Sequence, residues 1–428
     1  MQEVLRMLQI AQKLTKIGEE LKRREAEIVE ADTSLGFVSR YSTIQLKATA
    51  EILEDFKESF MTIRRRRGVC GDGEEIAFLL PYNYSSIICI LAIGQVLIGN
   101  NVRMKASELS TRSAKIMEEI LTEVFPQNVR FDYSRGPEFM EWAITERKIR
   151  AVILYGSHLV ALEYLPRFKH EGKKFIFEGP GKNPFIVLKD AILSSAVEGL
   201  KSAKYRASGQ ICFSPGIVYV QEDVFDEFLD KMLTATKGLN VGSALDPATD
   251  IGPLGSSLAV ARIKEQLEDA EAQGGQILCG GTIEGNLVYP TIIVNAKKTM
   301  IGVRDESFGP ILWFIKFKTV EEVIHLASDN MFGLAMTIYG VNGAQRIISE
   351  LKGSDYLHRV PEITFGKYGM VSLNPYIMGS DIPRGARTLF YPFGGYGYSG
   401  WVCETSEGEF EFKQGPKNML LETSTPEP

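Results

Sequence analysis

The sequence predicts an α/β protein, with a mainly parallel sheet followed by a second α/β region. Short apolar runs bounded by turn formers alternate with amphipathic stretches along most of the chain, the pattern of βαβ units. The chain has 428 residues, enough for two or three separate cores. Its composition, 44% hydrophobic and 24% charged, is that of an ordinary globular protein, so no fibrous or disordered class competes.

The elements follow in order. Residues 1–60 read as helices: Leu5, Leu8, Ile10, Leu14 and Ile17 recur near helical spacing among Lys and Glu. "EEIAFLLP" (74–81) is a short buried strand, and the turn "PYNYSS" leads into the apolar helix "IICILAIGQVLIG" (87–99). "NVRMKAS" (101–107) is the second strand and "ELSTRSAKIMEEILTEVF" the second helix. "VRFDY" (129–133), a short helix near 137–145, "RAVILYGS" (150–157) and "KKFIFEG" (173–179) continue the alternation. A second region begins near Gly181, with a helix over 190–207, the strand "GIVYVQ" (216–221), two long helices, and the strands "QILCGG", "TIIVN" and "ILWFIKF". The last stretch, "PKNMLLETSTPEP", reads as a strand and a loose tail.

Charge and cysteine usage exclude several classes. Lys+Arg 48 against Asp+Glu 54 gives a net charge of −6, which does not fit a nucleic-acid binder or a protein drawn to an anionic membrane surface. The cluster "RRRR" at 64–67 reads as solvated charge or a subunit contact. Five cysteines, an odd number with no C-x-x-C, favour a reducing, cytoplasmic setting. The amino terminus is charged and periodic, unlike a signal peptide. The run 87–99 is too short for a span of about 20 apolar residues.

Several motifs fail. "EGPGKN" (178–183) lacks the first glycine and the Ser or Thr of a P-loop. "GYGYSG" (395–400) matches G-x-G-x-x-G but has no clear strand before it and no periodic helix after it, so it reads as a glycine-rich loop. The four histidines are scattered, so no metal is expected. No G-x-S-x-G elbow occurs.

Four elements fit one chemistry. Cys212, in "YRASGQICFSPG", has turn formers on both sides where a structural cysteine has apolar neighbours. A thiolate there is a strong nucleophile. Glu178, at a strand end, is a candidate general base. Asn83, at a strand-to-helix turn, carries an amide able to hold an oxyanion. Lys105 and Glu108 follow a strand, at the end where open α/β sheets bind ligands. Taken singly, each also fits an inert loop thiol, a helix cap, a turn amide or surface charge.

Order and spacing favour the functional reading, because here the chain resembles the aldehyde dehydrogenase superfamily. "FEGPGKNPFIVLKDA" is similar to its E-L-G-G-K-N-P stretch, and "GQIC" to its G-Q-x-C. Glu178 stands 34 positions before Cys212, the family's separation of base and nucleophile. "LPYNYS" resembles P-W-N-F-P, and "VRMKASE" the strand whose lysine and glutamate meet the adenosine ribose. "YGS" (155–157) resembles the G-S-T turn, "DESFGP" (305–310) resembles E-E-I-F-G-P, and "SLNP" and "PFGGYGYSG" resemble the closing motifs. The resemblance runs from about residue 35 to the end.

The resemblance implies a Rossmann-like cofactor domain over 1–180 with a short hairpin near 62–77, a catalytic domain over 181–400, and an oligomerisation strand and tail over 401–428. It implies oxidation of an aldehyde to the carboxylic acid through a thiohemiacetal and a thioester, with hydride transfer to NAD, NADP being less favoured. Cys212 is then the nucleophile, Glu178 the base and Asn83 the oxyanion amide. Lys105, Glu108, Gly156, Ser157, Glu306 and Phe308 meet the cofactor. Phe393 lies on the substrate side. Arg384 and Arg387, nearby in sequence, are candidate partners for an anionic aldehyde, although solvated loop charge or pairing with Asp381 is the simpler reading. Implied partners are a small-molecule aldehyde and copies of the chain, as a cytoplasmic homodimer or homotetramer. A CoA-acylating relative, or a catalytically impaired member acting as a binding or structural protein, is the alternative.

The chain also departs from the family pattern. It reads as an amino-terminally shortened member. Its cofactor turn is "GSHLVA", with His158 and Ala161 where Thr and Gly are usual. Tyr82 replaces a tryptophan, and the segment between Asn374 and Phe393 is longer than usual.

Overall fold

The computed structural model describes residues 2–67, 69–83, 85–351, 363–364, 368–374, 394–406, 409–415, 417, 423 and 425–426. Two large sheets organise them. The first has seven strands, in the order Glu409–Gln414, Gly400–Ser406, Lys174–Glu178, Ile149–Tyr155, Glu75–Leu79, Asn101–Lys105 and Val129–Asp132. The last five run parallel. Chain order moves outward from Glu75–Leu79 to one edge, then returns to its other side at Ile149–Tyr155. The crevice beyond the carboxyl ends of those two strands is therefore the topological switch point, where sheets of this kind bind ligands.

Strand periodicity builds the two cores of this sheet. Successive side chains face opposite ways. Ile76, Phe78 and Ile153 join one core, with Leu14, Phe56, Ile93 and Met117 from the covering helices. Ala77, Leu79, Val152 and Leu154 join the other, against Phe139, Phe168 and Trp401. Burial on both faces explains why these strands read as continuous apolar runs. The helix Ser85–Ile98 is buried nearly all round, so it lacks a polar face in the sequence.

The second sheet orders Ile363–Thr364, Met370–Leu373, Ala335–Tyr339, Asn183–Val187, Pro215–Gln221, Ile311–Phe317, Thr291–Val294 and Gln276–Cys279. Its six inner strands are parallel and its two edge strands antiparallel. Ile217 and Tyr219 face one core, and Val218 and Val220 the other. Glu178 ends a strand of the first sheet and Asn183 begins a strand of the second, so a short turn joins the two.

Three details add to or correct the expectations. The hairpin expected near 62–77 is instead the end of the helix Ser39–Arg67, followed by Val69–Cys70 paired with Thr425–Pro426. "TIRRRR" (62–67) holds no Gly, Pro or Asn, and arginine is a good helix former, so nothing breaks the helix before Gly68. In the first helix, Leu14 and Ile17 are fully buried while Leu5 and Leu8 are more than half exposed, so the amphipathic stripe is covered only in its later turns. In the segment expected to serve oligomerisation, Gly400–Ser406 pairs antiparallel with Lys174–Glu178 of its own chain and extends the first sheet. Among the described residues no helix is long and apolar enough to cross a membrane.

Candidate active site

The turn from Glu178 to Asn183 passes directly under the loop that carries Cys212. A Cβ on Gly181 would lie 2.3 Å from the Cys212 carbonyl oxygen, so only glycine allows this approach. The Asn183 side chain, itself buried, donates to the carbonyls of Cys212 and Ser214 at 2.8 Å each. Its Oδ1 accepts from the Ala335 N–H at 3.0 Å. One amide thus ties the Cys212 loop to the neighbouring strand.

The loop is pinned from its other side as well. Ala207, Ser208 and Gly209 take left-handed backbone angles in succession, with φ of 54°, 54° and 76°. The Ser208 hydroxyl accepts from the Gly252 N–H. Gln210 accepts from the Tyr82 hydroxyl at 3.0 Å and the Gly255 N–H at 2.9 Å through its side-chain oxygen. Its backbone carbonyl accepts from Asn83 Nδ2 at 3.0 Å. Asn83 is buried and stands beside the Cys212 loop, with one of its two amide protons used in that bond.

Two carboxyl groups charge this pocket. Glu178 is 3% exposed, and burial pushes its carboxyl up to about 7 although the Lys417 ammonium, 3.0 Å away, favours the ionised form. Burial likewise pushes Glu306 up to about 7, against the pull of the Gly181 N–H, which donates to its Oε1 at 3.0 Å. Burial first, then the nearby Glu306 and Glu178, push the Cys212 thiol up. The resting sulfur is therefore a thiol, and it reacts only after losing its proton to a base. Phe308 holds φ of 51° and packs edge-on against Tyr82, with ring centroids 6.0 Å apart.

The remaining candidates line the carboxyl edge of the first sheet. Lys105 ends its strand, is buried, and lies 3.9 Å from the exposed carboxylate of Glu108. Burial draws the Lys105 ammonium below its ordinary range. The Gly156 N–H donates to the Glu178 carbonyl, which couples that turn to the carboxylate strand. Ser157 caps the helix His158–Glu171, accepting from the Leu159 N–H. Cys212, Glu178 and Glu306 thus gather around the turn 179–183, while Asn83 bonds the Cys212 loop at Gln210 and Phe308 packs on Tyr82, which holds the same Gln210. Lys105, Glu108, Gly156 and Ser157 stand at the sheet edge. Phe393, Arg384 and Arg387 lie outside the described residues.

The sequence profile of the aldehyde dehydrogenase family matches residues 6–417. The chain belongs to the aldehyde dehydrogenase family. It is 35% identical over 260 residues to the glutarate-semialdehyde dehydrogenase of Pseudomonas putida, a match covering 60% of this chain and 50% of that protein. It is 34% identical over 262 residues to the NADP(+) succinate-semialdehyde dehydrogenase of Escherichia coli, again 60% of this chain and 50% of the relative. The matched stretch thus spans half the length of these curated relatives. The crystal structure of succinate-semialdehyde dehydrogenase from Burkholderia pseudomallei has the same fold, with a TM-score of 0.83 at 23% identity over 98% of this chain and 84% of that one.

The departures from the family pattern acquire structural content. Tyr82 uses the hydroxyl that a tryptophan lacks to hold Gln210. His158 is half-buried and stacks on Tyr398 at 4.9 Å with Phe332 against its edge, so it packs against the glycine-rich loop. Sequence reasoning missed three site residues: Asn183, Gln210 and Lys417. Asn183 and Gln210 sit inside quoted motifs and are visible there as polar residues beside glycine. Lys417 carries no local signal, because its partner Glu178 stands 239 positions earlier in the chain.

Proposed function

We propose that this aldehyde dehydrogenase family member oxidises an aldehyde to its carboxylic acid with a nicotinamide dinucleotide, using Cys212 as nucleophile and Glu178 as base. The observation that carries the reading is the Asn183 clamp, which seats the Cys212 loop on the turn that begins at the Glu178 carboxylate. The donor set fits the cofactor. Lys105 offers an ammonium and Glu108 a carboxylate to a ribose, Gly156 and Ser157 open a helix N-terminus suited to phosphates, Glu306 acts on the Cys212 thiol, and Phe308 packs on Tyr82. On this reading residues 1–180 hold the cofactor and 181–400 the reacting groups.

The Cys212 thiol gives up its proton to solvent water, and the sulfur adds to the carbonyl carbon while the C=O electron pair moves onto oxygen. The second amide proton of Asn83 and the Cys212 N–H hold that oxyanion. A nicotinamide dinucleotide held by Lys105, Glu108, Gly156, Ser157, Glu306 and Phe308 would supply the hydride acceptor that this oxidation needs. The thioester left on Cys212 meets a water whose proton goes to Glu178, and the S–C bond breaks to release the acid. Glu178 favours hydrolysis over transfer to CoA.

The names of the semialdehyde dehydrogenase relatives support an aldehyde that also carries a carboxylate. Arg384 and Arg387 are its candidate partners, with Phe393 beside the reacting carbon. The reading includes NAD as the preferred cofactor and a cytoplasmic homodimer or homotetramer. Assaying reduced cofactor with semialdehydes and neutral aldehydes of equal length, with products analysed with and without CoA, tests it. Acid formed independently of CoA, fastest from semialdehydes, is the expected result.

A further inference from the structure

Among the described residues, the ion pair between Lys417 and Glu178 is the most enclosed charge pair. Lys417 Nζ lies 3.0 Å from Glu178 Oε1, and the two side chains are 4% and 2% exposed. Among the described residues no hydrogen bond from another group reaches either carboxylate oxygen or the ammonium. Glycines wall the pair in. A Cβ on Gly394 would stand 2.7 Å from Lys417 Nζ and 2.8 Å from both Glu178 oxygens, and one on Gly400 would stand 3.0 Å from the same Nζ. Gly400 also pairs in register with Glu178 across the sheet.

We propose that Lys417 is a positioning residue for Glu178, holding its carboxylate ionised and fixed in the glycine-walled cleft so that it serves as the base. The inference rests on the aldehyde-oxidising reading above. A carboxylate removed from water must be paired or take up a proton. Tyr155, beside Glu178 in the parallel register, and Cys212 are the other titratable groups that feel it. Both are neutral in the resting protein, because burial and the nearby Glu178 carboxylate push both groups up. Lys417 is therefore the cation that opposes protonation. Its place just beyond the strand Glu409–Gln414 makes the second strand of the carboxy-terminal hairpin part of the site.

The test compares wild type, Lys417→Met, Lys417→Arg and Glu178→Gln. Infrared difference spectra, with Glu178→Gln as reference, follow the Glu178 carboxyl through pH and need no turnover. Loss of an opposite charge in contact should raise its titration midpoint by about 1–3 units in Lys417→Met, and Lys417→Arg should restore it. In the pre-steady state Lys417→Met should keep the burst of reduced cofactor. Its kcat at pH 7 should fall about fivefold or more, recovering at alkaline pH. An unmoved carboxyl midpoint overturns the proposal. So does a kcat loss equal at every pH, which is the signature of a structural residue. A moved midpoint in a protein that forms no burst, even as wild type, supports the pairing and refutes the reaction instead.

Discussion

The side-chain amide of Asn183 donates to the backbone carbonyl of Cys212 at 2.8 Å, and to that of Ser214 at the same distance. A buried residue of the first strand of one sheet thereby sets the height of a thiol above a turn that leaves the other sheet. Replacing Asn183 by Ala would leave the Ala335 N–H and two carbonyls without their partner. Each unpaired buried group costs about 1–3 kcal/mol, so thermal unfolding should show a loss of at least about 2 kcal/mol. The nucleophile should also lose its fixed position, and kcat/KM should fall at least about tenfold, a modest loss beside those that misplacement produces. A variant with normal Tm and normal kcat/KM would show that the clamp does nothing.

Cys212→Ala should abolish aldehyde oxidation and leave folding intact, since the bonds from Asn183 and the Ser208 and Gln210 side chains hold its loop without the thiol. Cys89 and Cys403 are buried in apolar cores, and Cys279 is half-buried on an edge strand. Cys89 and Cys403, sealed in apolar cores, should be inert to alkylating reagents. Peptide mapping after inactivation by a thiol reagent checks this. Substantial activity in the alanine variant would sink the mechanism.

Glu178 carries a pH dependence whose sign is fixed by its role. Burial raises its carboxyl to about 7, and a base must be ionised to take a proton from water. The deacylation rate should therefore climb as pH rises through about 7 and level off above it. Glu178→Gln should retain a burst of reduced cofactor and then turn over slowly, with the acid limb gone. A pH profile flat from 5 to 9 in the wild type would contradict the assignment.

How much of this site was legible follows from where its contacts lie in the chain. Cys212, Glu178 and Asn83 each stand at a junction marked by glycine, proline or turn residues, so local sequence exposed them. The strands Glu75–Leu79 and Ile149–Tyr155 were legible for a similar reason: apolar runs with punctuation at both ends. The end of Ser39–Arg67 was misread because a family hairpin was expected there, although its arginine run continues a helix without a breaker. The Lys417–Glu178 pair depends on a hairpin returning to the edge of the first sheet, a tertiary event that leaves no periodicity in "KQGPKN".

The buried carboxyl groups also predict a stability profile. Glu178 and Glu306 titrate at about 7 in the folded protein, against an ordinary value of 4.5, and Asp32 at about 6 against 3.8, burial being the first cause in all three. Between the unfolded and folded values the native state binds more protons, so their contribution to stability falls as pH rises toward 7. Lys204, drawn by burial from 10.5 down to about 7, has the opposite sign above neutrality: the unfolded chain binds the extra proton, and stability recovers as pH rises from 7 toward 10.5. Denaturant midpoints measured across pH should show the fall below 7. Glu306→Gln, which keeps an acceptor for the Gly181 N–H, should make that fall shallower. An unchanged slope in that variant would mean that Glu306 is not the buried charge described.

Cofactor choice turns on Glu108. Its carboxylate is exposed, 3.9 Å from the buried ammonium of Lys105, and both lie at the carboxyl end of the strand Asn101–Lys105. A carboxylate there accepts from a free ribose 2′-hydroxyl and repels a 2′-phosphate, whereas the lysine attracts either. The two effects oppose each other for NADP and cooperate for NAD, so kcat/KM should be higher with NAD. Glu108→Gln removes the repulsion at a side chain that is itself exposed. It should improve NADP relative to NAD by about tenfold, equivalent to ~1.4 kcal/mol. Lys105→Met should weaken both cofactors, and NADP more. Steady-state kinetics with both cofactors on the three proteins decides the matter. A wild-type preference for NADP, as the name of the Escherichia coli relative records for that enzyme, would mean that Lys105 outweighs Glu108.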